Sequence, residues 1–256
     1  MGTGRSACGP GGPPYNSNLN VGTNLADSKP IIIALDVDSC EEARRLVEQI
    51  DDGADFYKVG MELYAAGGMS FVNELLERGK RVFLDLKLYD ISETVKRATR
   101  QIVKSGVTFL TVHGSGAVMR AAVEGRGDTS TQLLAVTVLT SFDRQDLLDL
   151  GYQSPVEELV ALRVNKAVAS GMDGIVCSPL ELPNVRRIGG SKLKLVTPGV
   201  RSAGVAVGDQ KRVATPAEAI RNGADYLVIG RQVTRAEDPR EACHQVLQEI
   251  SAAVIG

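Results

Sequence analysis

The chain has 256 residues, 43% of them hydrophobic, with 31 acidic and 29 basic side chains for a net charge of −2. This is enough apolar material for one sizeable core, and the near balance of charge leaves no overall field to recruit nucleic acid or an anionic membrane. No apolar run approaches the roughly 18 residues needed to cross a bilayer, no secretory signal opens the chain, and Cys8, Cys40, Cys177 and Cys243 lack zinc-ligand spacing. A soluble, cytoplasmic protein is expected.

Residues 1–29 are rich in Gly, Pro, Ser and Asn and show no periodicity, so they are expected to be a disordered leader or a remnant of expression. From residue 30 to 256 one domain is expected. Short β-branched or aliphatic runs at 31–36, 56–59, 81–86, 109–112, 133–138, 174–177, 193–196 and 226–229 read as strands. Segments between them, such as 40–50, 70–78 and 91–105, carry apolar residues at three- and four-residue steps, as helices covering a sheet require. Gly53, Gly106, Gly171 and Gly223 precede strands, where a helix C-cap and tight turn are expected. Eight βα units in about 225 residues favour a closed (β/α)8 TIM barrel over an open doubly wound sheet.

In such a barrel, function lies at the C-terminal ends of the strands. Asp36, Lys58, Asp85 and Lys87 fall at the ends of the first three strands, and Asp90 lies just beyond. Residues two apart on a strand share a face, so Asp85 and Lys87 both face the interior while Leu86 and Leu88 face the helices. Alternating charges stabilise one another's ionised forms, and a Lys held protonated in this way is a ready proton donor. An isolated Asp-x-Lys pair often serves only as a structural ion pair, but three strands contributing at one mouth point to chemistry.

A second group follows the last two strands, at Thr197-Pro198-Gly199-Val200-Arg201 and Gly230-Arg231. Loops at these positions commonly bind phosphate, through backbone N–H groups and a short helix N-terminus. Gly230 allows close approach, and Arg201 or Arg231 supplies a charged fork. Residues 202–212, which include Gly204 and Gly208, are expected to fold over a bound ligand. His113-Gly114-Ser115-Gly116 lacks a dinucleotide fingerprint and reads as a turn and helix start, with His113 a hydrogen-bonded structural residue.

Over residues 30–249 the chain resembles the orotidine 5′-monophosphate decarboxylase family, in particular its bacterial single-function members. The resemblance is carried by Ala34-Leu35-Asp36, Lys58-Val59-Gly60-Met61-Glu62-Leu63, Asp85-Leu86-Lys87-Leu88-Tyr89-Asp90-Ile91, Val138-Leu139-Thr140-Ser141, Thr197-Pro198-Gly199-Val200-Arg201 and Gly230-Arg231. The D-x-K-x-x-D element alone is shared with related sugar-phosphate barrels; in order with T-P-G-x-R and G-R it becomes specific.

The resemblance implies decarboxylation of orotidine 5′-monophosphate to UMP in pyrimidine biosynthesis, with no cofactor and no metal. It makes Lys87 the proton donor to the carbon that loses carbon dioxide and sets Asp85 against the departing carboxylate. Lys58 and Asp36 would complete the charge network and touch the ribose. Thr140 would meet the pyrimidine, Arg201, Gln210, Gly230 and Arg231 would hold or enclose the phosphate end, and Pro198 would also contact the substrate. Asp90, Ile91 and Thr94 would reach into the neighbouring site of a homodimer. Tyr89, where many bacterial relatives carry His, is expected to matter little. The alternative is a magnesium-dependent sugar-phosphate decarboxylase or synthase of the same superfamily, and a rival of another class is a catalytically silent nucleotide-binding barrel. Lys58 and Lys87 at the mouth disfavour a dication.

Overall fold

The computed structural model describes residues 29–202 and 214–255. β1 (Ile31–Ala34) leads to α1 (Cys40–Ile50), β2 (Phe56–Gly60) to α2 (Met61–Glu77), β3 (Arg81–Leu88) to α3 (Ser92–Ile102), and β4 (Phe109–His113) to α4 (Gly116–Arg126). β5 (Gln132–Val136) precedes α5 (Arg144–Asp149) and α6 (Val156–Ser170), and β6 (Gly174–Val176) precedes α7 (Leu182–Gly189). β7 (Lys194–Thr197) is followed by α8 (Pro216–Arg221), and β8 (Tyr226–Ile229) by α9 (Arg231–Thr234) and α10 (Pro239–Ile255). Each strand runs parallel to its sequence neighbours, and β8 pairs with β1, Ile32 opposite Val228. The sheet therefore closes into the expected (β/α)8 barrel.

Strand alternation divides the core in two. Ile31, Ile33 and Leu35 point outward and pack with Leu46, Val47 and Ile50 of α1, as α1's apolar stripe requires. Ile32 and Ala34 point inward, into a cluster with Phe56, Phe83, Phe109 and Leu134. The aromatic rings sit low in the barrel: Phe56, Phe109 and Tyr226 are the first residues of their strands, and neighbouring centroids lie 5.2–5.8 Å apart among these three. They plug the N-terminal end. At the other end the inward residues are small, with Ala34, Val136, Val176 and Val228, so the barrel opens there into a cavity.

Charges at the plugged end are structural. Asp173 receives the Arg126 guanidinium and the Leu133 N–H. Asp225 binds Arg186 at 2.7 Å and accepts the Leu195 N–H at 2.7 Å. These carboxylates tie one strand to the next at the face where stability, not chemistry, is organised.

Several expectations need adjustment. β1 stops at Ala34 and β5 at Val136, so Asp36 and Val138 lie on loops beyond the strands. The helix expected over 70–78 begins at Met61 and breaks at Gly68, whose φ of +56° is open to glycine but costly for other residues. The helix expected over 91–105 starts at Ser92, and its last turn, Val103–Ser105, is a 3-10 helix. Gly106 and Gly171 are left-handed C-caps with φ of 84° and 76°. Gly53 is different: it ends the 3-10 turn Asp51–Gly53, and a Cβ there would meet the Cys243 Cβ at 3.0 Å, so close packing against α10 requires it.

The local geometry of β3 departs from simple alternation. Leu84 pairs with Leu110 and Leu88 with Val112, so four residues of β3 advance against two of β4. The surplus forms a bulge in which Lys87 adopts φ +49°. A non-glycine residue there costs about 1–2 kcal/mol, so neighbouring contacts must hold it. Leu86 and Leu88 still pack on the outer core.

Candidate active site

The mouth of the barrel holds a cavity of about 440 Å³, within the usual range for small-molecule sites. Its two ends differ chemically. At one end the loop after β1, with β2 and β3, delivers Asp36, Lys58, Asp85 and Lys87; at the other, the segments after β7 and β8 deliver Pro198, Gly199, Arg201, Gly230, Arg231 and Arg235. Val136, Val176 and Val228 form an apolar floor between them, and Thr140 lines one side.

The four charged residues form one chain of alternating sign. Asp36 Oδ1 accepts from Lys58 Nζ at 2.7 Å, Lys58 Nζ lies 3.8 Å from Asp85 Oδ2, and that oxygen accepts from Lys87 Nζ at 2.9 Å. Lys58 and Asp85 are buried, 8% and 9% exposed, so each charge depends on its partners for stabilisation. Gly60 makes room for the pair next to it. A Cβ at that position would stand 2.9 Å from Lys58 Nζ and 3.2 Å from Asp36 Oδ1, although its φ of −90° suits any residue.

The second oxygen of Asp85 has its own partner. Thr111 Oγ1, fully buried on β4, donates to Asp85 Oδ1 at 2.9 Å and accepts the backbone N–H of Lys87 at 2.9 Å. Sequence reasoning missed this residue, although alternation from the inward Phe109 places Thr111 on the inner face of β4. It also missed Thr234 and Arg235, which extend the cavity wall beyond Arg231.

At the far end, Val200 bridges Ala214 and the Arg201 N–H bonds the Ala214 carbonyl at 3.1 Å, so the chain returns to the mouth at this point. Ser202 is anchored to Gln232 and Glu249, its N–H donating to Gln232 Oε1 at 3.0 Å and its Oγ to Glu249 Oε2 at 2.7 Å. Gln210 and all but the first residue of the expected closing segment 202–212 lie outside the described residues. Among the described residues, a Cβ at Gly230 would meet only the Ala34 Cβ, at 3.9 Å.

Asp90, Ile91 and Thr94 do not line this cavity. They are exposed on the rim after β3, where Asp90 Oδ1 accepts the Ile91 N–H at 2.7 Å. His113 also stands apart. Its ring lies 4.5 Å from that of Tyr89, its buried Nδ1 has no partner among the described residues, and burial first, then the Arg163 charge, lowers its pKa. The expectation of a hydrogen-bonded His113 therefore fails at Nδ1, and Tyr89 has a packing contact that the sequence did not suggest.

A family model described as orotidine 5′-phosphate decarboxylase / HUMPS family matches residues 29–246. The chain belongs to this family. An orotidine 5′-phosphate decarboxylase of Rhodopseudomonas palustris (strain BisB5) is 50% identical over 228 residues, covering 89% of this chain and 97% of that one. That of Afipia carboxidovorans is 52% identical over 223 residues, with 87% and 95% covered. The crystal structure of orotidine 5′-phosphate decarboxylase from Lactobacillus acidophilus superposes with a TM-score of 0.77 at 35% identity, over 87% of this chain and 99% of that one. Among the described residues no group of three or more His, Cys, Asp or Glu side chains is arranged to hold a metal ion, and no helix is long and apolar enough to cross a membrane.

Proposed function

We propose that this protein converts orotidine 5′-monophosphate to UMP and carbon dioxide without a metal or organic cofactor. The observation that carries the reading is one cavity with an alternating Asp36–Lys58–Asp85–Lys87 chain at one end and Arg201 and Arg231 at the other. A nucleotide monophosphate has matching polarity along its length. Its phosphate meets the arginines, the ribose lies along Asp36 and Lys58, and the pyrimidine lies toward Thr140 and Lys87.

The bond from the ring carbon to the carboxylate breaks heterolytically, leaving its electron pair on the ring carbon. Lys87 stabilises that charge as it develops and delivers a proton to the carbon; the neutral amine regains a proton from solvent. Asp85 holds the ammonium in place and lies beside the departing carboxylate. Reactions this slow without catalysis reach accelerations of about 10¹⁷-fold, so the binding energy of the distant phosphate must also be used at the reacting end.

The family includes sugar-phosphate enzymes, and the engagement of the acids favours the nucleotide reading. Both oxygens of Asp85 are engaged, by Thr111 and Lys87, and Asp36 is paired with Lys58. A dication bound there would stand against two ammonium groups. Exposed Met61, Tyr89 and Ile91 at the mouth support pairing with a second copy, whose site Asp90, Ile91 and Thr94 would complete. A cytoplasmic setting accords with the free thiols of Cys40, Cys177 and Cys243.

Absorbance-monitored turnover of orotidine 5′-monophosphate with a chelator present tests this. Full activity is expected for the native protein, and Lys87→Ala should lose at least about 10³-fold in kcat, since it removes both the acid and the charge stabiliser. Activity that depends on added magnesium, or undiminished turnover by Lys87→Ala, would overturn the proposal.

A further inference from the structure

We infer that Thr111 is a positioning residue for the reaction, whose hydroxyl sets where the Lys87 ammonium and the Asp85 carboxylate stand relative to each other. The inference rests on Lys87 being the proton donor, and it names a residue that lines none of the cavity.

Between the Leu84–Leu110 and Leu88–Val112 pairs, β3 has too many residues for the ladder to accommodate. The Lys87 N–H, in a bulge at φ +49° where no β4 residue stands in register with Lys87, donates to the Thr111 side chain at 2.9 Å. A side-chain hydroxyl thus holds the backbone where the ladder is irregular. Its single proton goes to Asp85 Oδ1 at 2.9 Å, leaving Oδ2 for Lys87 Nζ at 2.9 Å and for Lys58 Nζ at 3.8 Å. The carboxylate is held at both oxygens, and its plane is fixed.

Three properties suit threonine to this task. The site is fully buried, so water does not compete for either bond. A β-branched side chain on a strand has restricted χ1, so its Oγ1 is held in place. A hydroxyl donates once and accepts as well, which matches one carboxylate oxygen on one side and one N–H on the other. Lys87's backbone and its counter-ion are therefore tied to the same atom, which fixes the carboxylate that the ammonium pairs with relative to the lysine's own backbone. Small displacements of a catalytic group cost disproportionately in rate.

The test compares Thr111→Val, which keeps the shape and removes the hydroxyl, with Thr111→Ser, which keeps the hydroxyl. UMP titration counts competent sites in each preparation, so loss of folded protein does not register in kcat. For Thr111→Val, kcat should fall about 10-fold or more while KM and UMP affinity stay within about 3-fold, the pattern of a group that acts on the transition state and not on uniform binding. Thr111→Ser should recover to within about 3-fold of native kcat.

A Thr111→Val protein whose kcat stays within about 2-fold of native, while Lys87→Ala is inactive, overturns this inference and leaves the proposed function standing. Equal losses in Val and Ser variants also overturn it, because the hydroxyl would then not be the agent. If Thr111→Val gives no UMP-binding protein, Thr111→Ala against Thr111→Ser decides in the same way: a 10-fold advantage for Ser supports the inference and equality refutes it. A full-activity Lys87→Ala would instead remove the reading on which the inference depends.

Discussion

His113 carries an effect that can be followed by pH. Its imidazole is neutral in the fold because burial, and secondarily Arg163, lowers its pKa below the ordinary value near 6.5. The unfolded chain binds that proton more readily than the folded one. The contribution to stability is therefore complete above about pH 6.5 and is lost as the pH falls through the lower folded value. Glu74 and Glu218, whose carboxyls are lowered by Arg44 and by Thr215 respectively, act in a separate and more acidic window. The denaturant midpoint should drop on going from pH 7 toward pH 5.5, and in His113→Gln that part of the slope should vanish. An unchanged slope in the variant would assign the effect elsewhere.

The β2–α2 junction shows how elements are fitted around single side chains. Gly60 ends β2 and caps α2, and the space where its Cβ would stand is taken by the ends of Lys58 and Asp36. Gly60→Ala suits the backbone but sets a methyl 2.9 Å from the Lys58 ammonium, which must shift against Asp36. A kcat loss of about 10-fold or more is expected, with a modest change in melting temperature; kinetics and calorimetry on the same preparation would separate the two. Activity equal to native would mean that the pair relaxes without consequence.

Legibility from sequence followed this same division between local and non-local causes. The strands were readable because their apolar runs are continuous and bounded by turns, and the strand ends named the right mouth for the charges. The start of α2 was obscured by Gly67 and Gly68: the helical turns that begin at Met61 are interrupted at Gly68, whose backbone is not helical, and only the part beyond the break was readable. The bulge in β3 was invisible because it arises from register against β4, a property of the pair of strands and not of either segment. Lys87 and Asp85 share a side as alternation suggested, yet they do so through that bulge. Thr111 was overlooked because one hydroxyl in an apolar strand gives no pattern; its meaning comes from what stands across from it.

At the scale of the whole molecule, the rim after β3 bears on assembly. Tyr89 is 68% and Ile91 73% exposed there, flanking the exposed Asp90 in sequence, and Met61, at the start of α2, is 63% exposed. If those residues serve a partner's cavity, Asp90→Ala and Lys87→Ala chains should complement each other. In a dimer of one of each, one site receives both defects and the other neither. Random re-association of the two inactive variants should restore about a quarter of native activity per site, from the symmetry of a two-fold interface. No recovery on mixing would mean that each cavity is complete within its own chain.

The pairing of β8 with β1 also governs when a cavity can exist at all. Its acidic and lysine-bearing end comes from residues 36–87 and its arginine end from residues 198–235, so the two meet only across that seam. A nascent chain halted before Tyr226 has exposed the whole of one end and none of the closure that faces the other. The complete cavity is thus acquired at once, late in synthesis. If a nucleotide binds as proposed, from Lys58 to Arg231, it acts as a clasp over the last join the polypeptide makes.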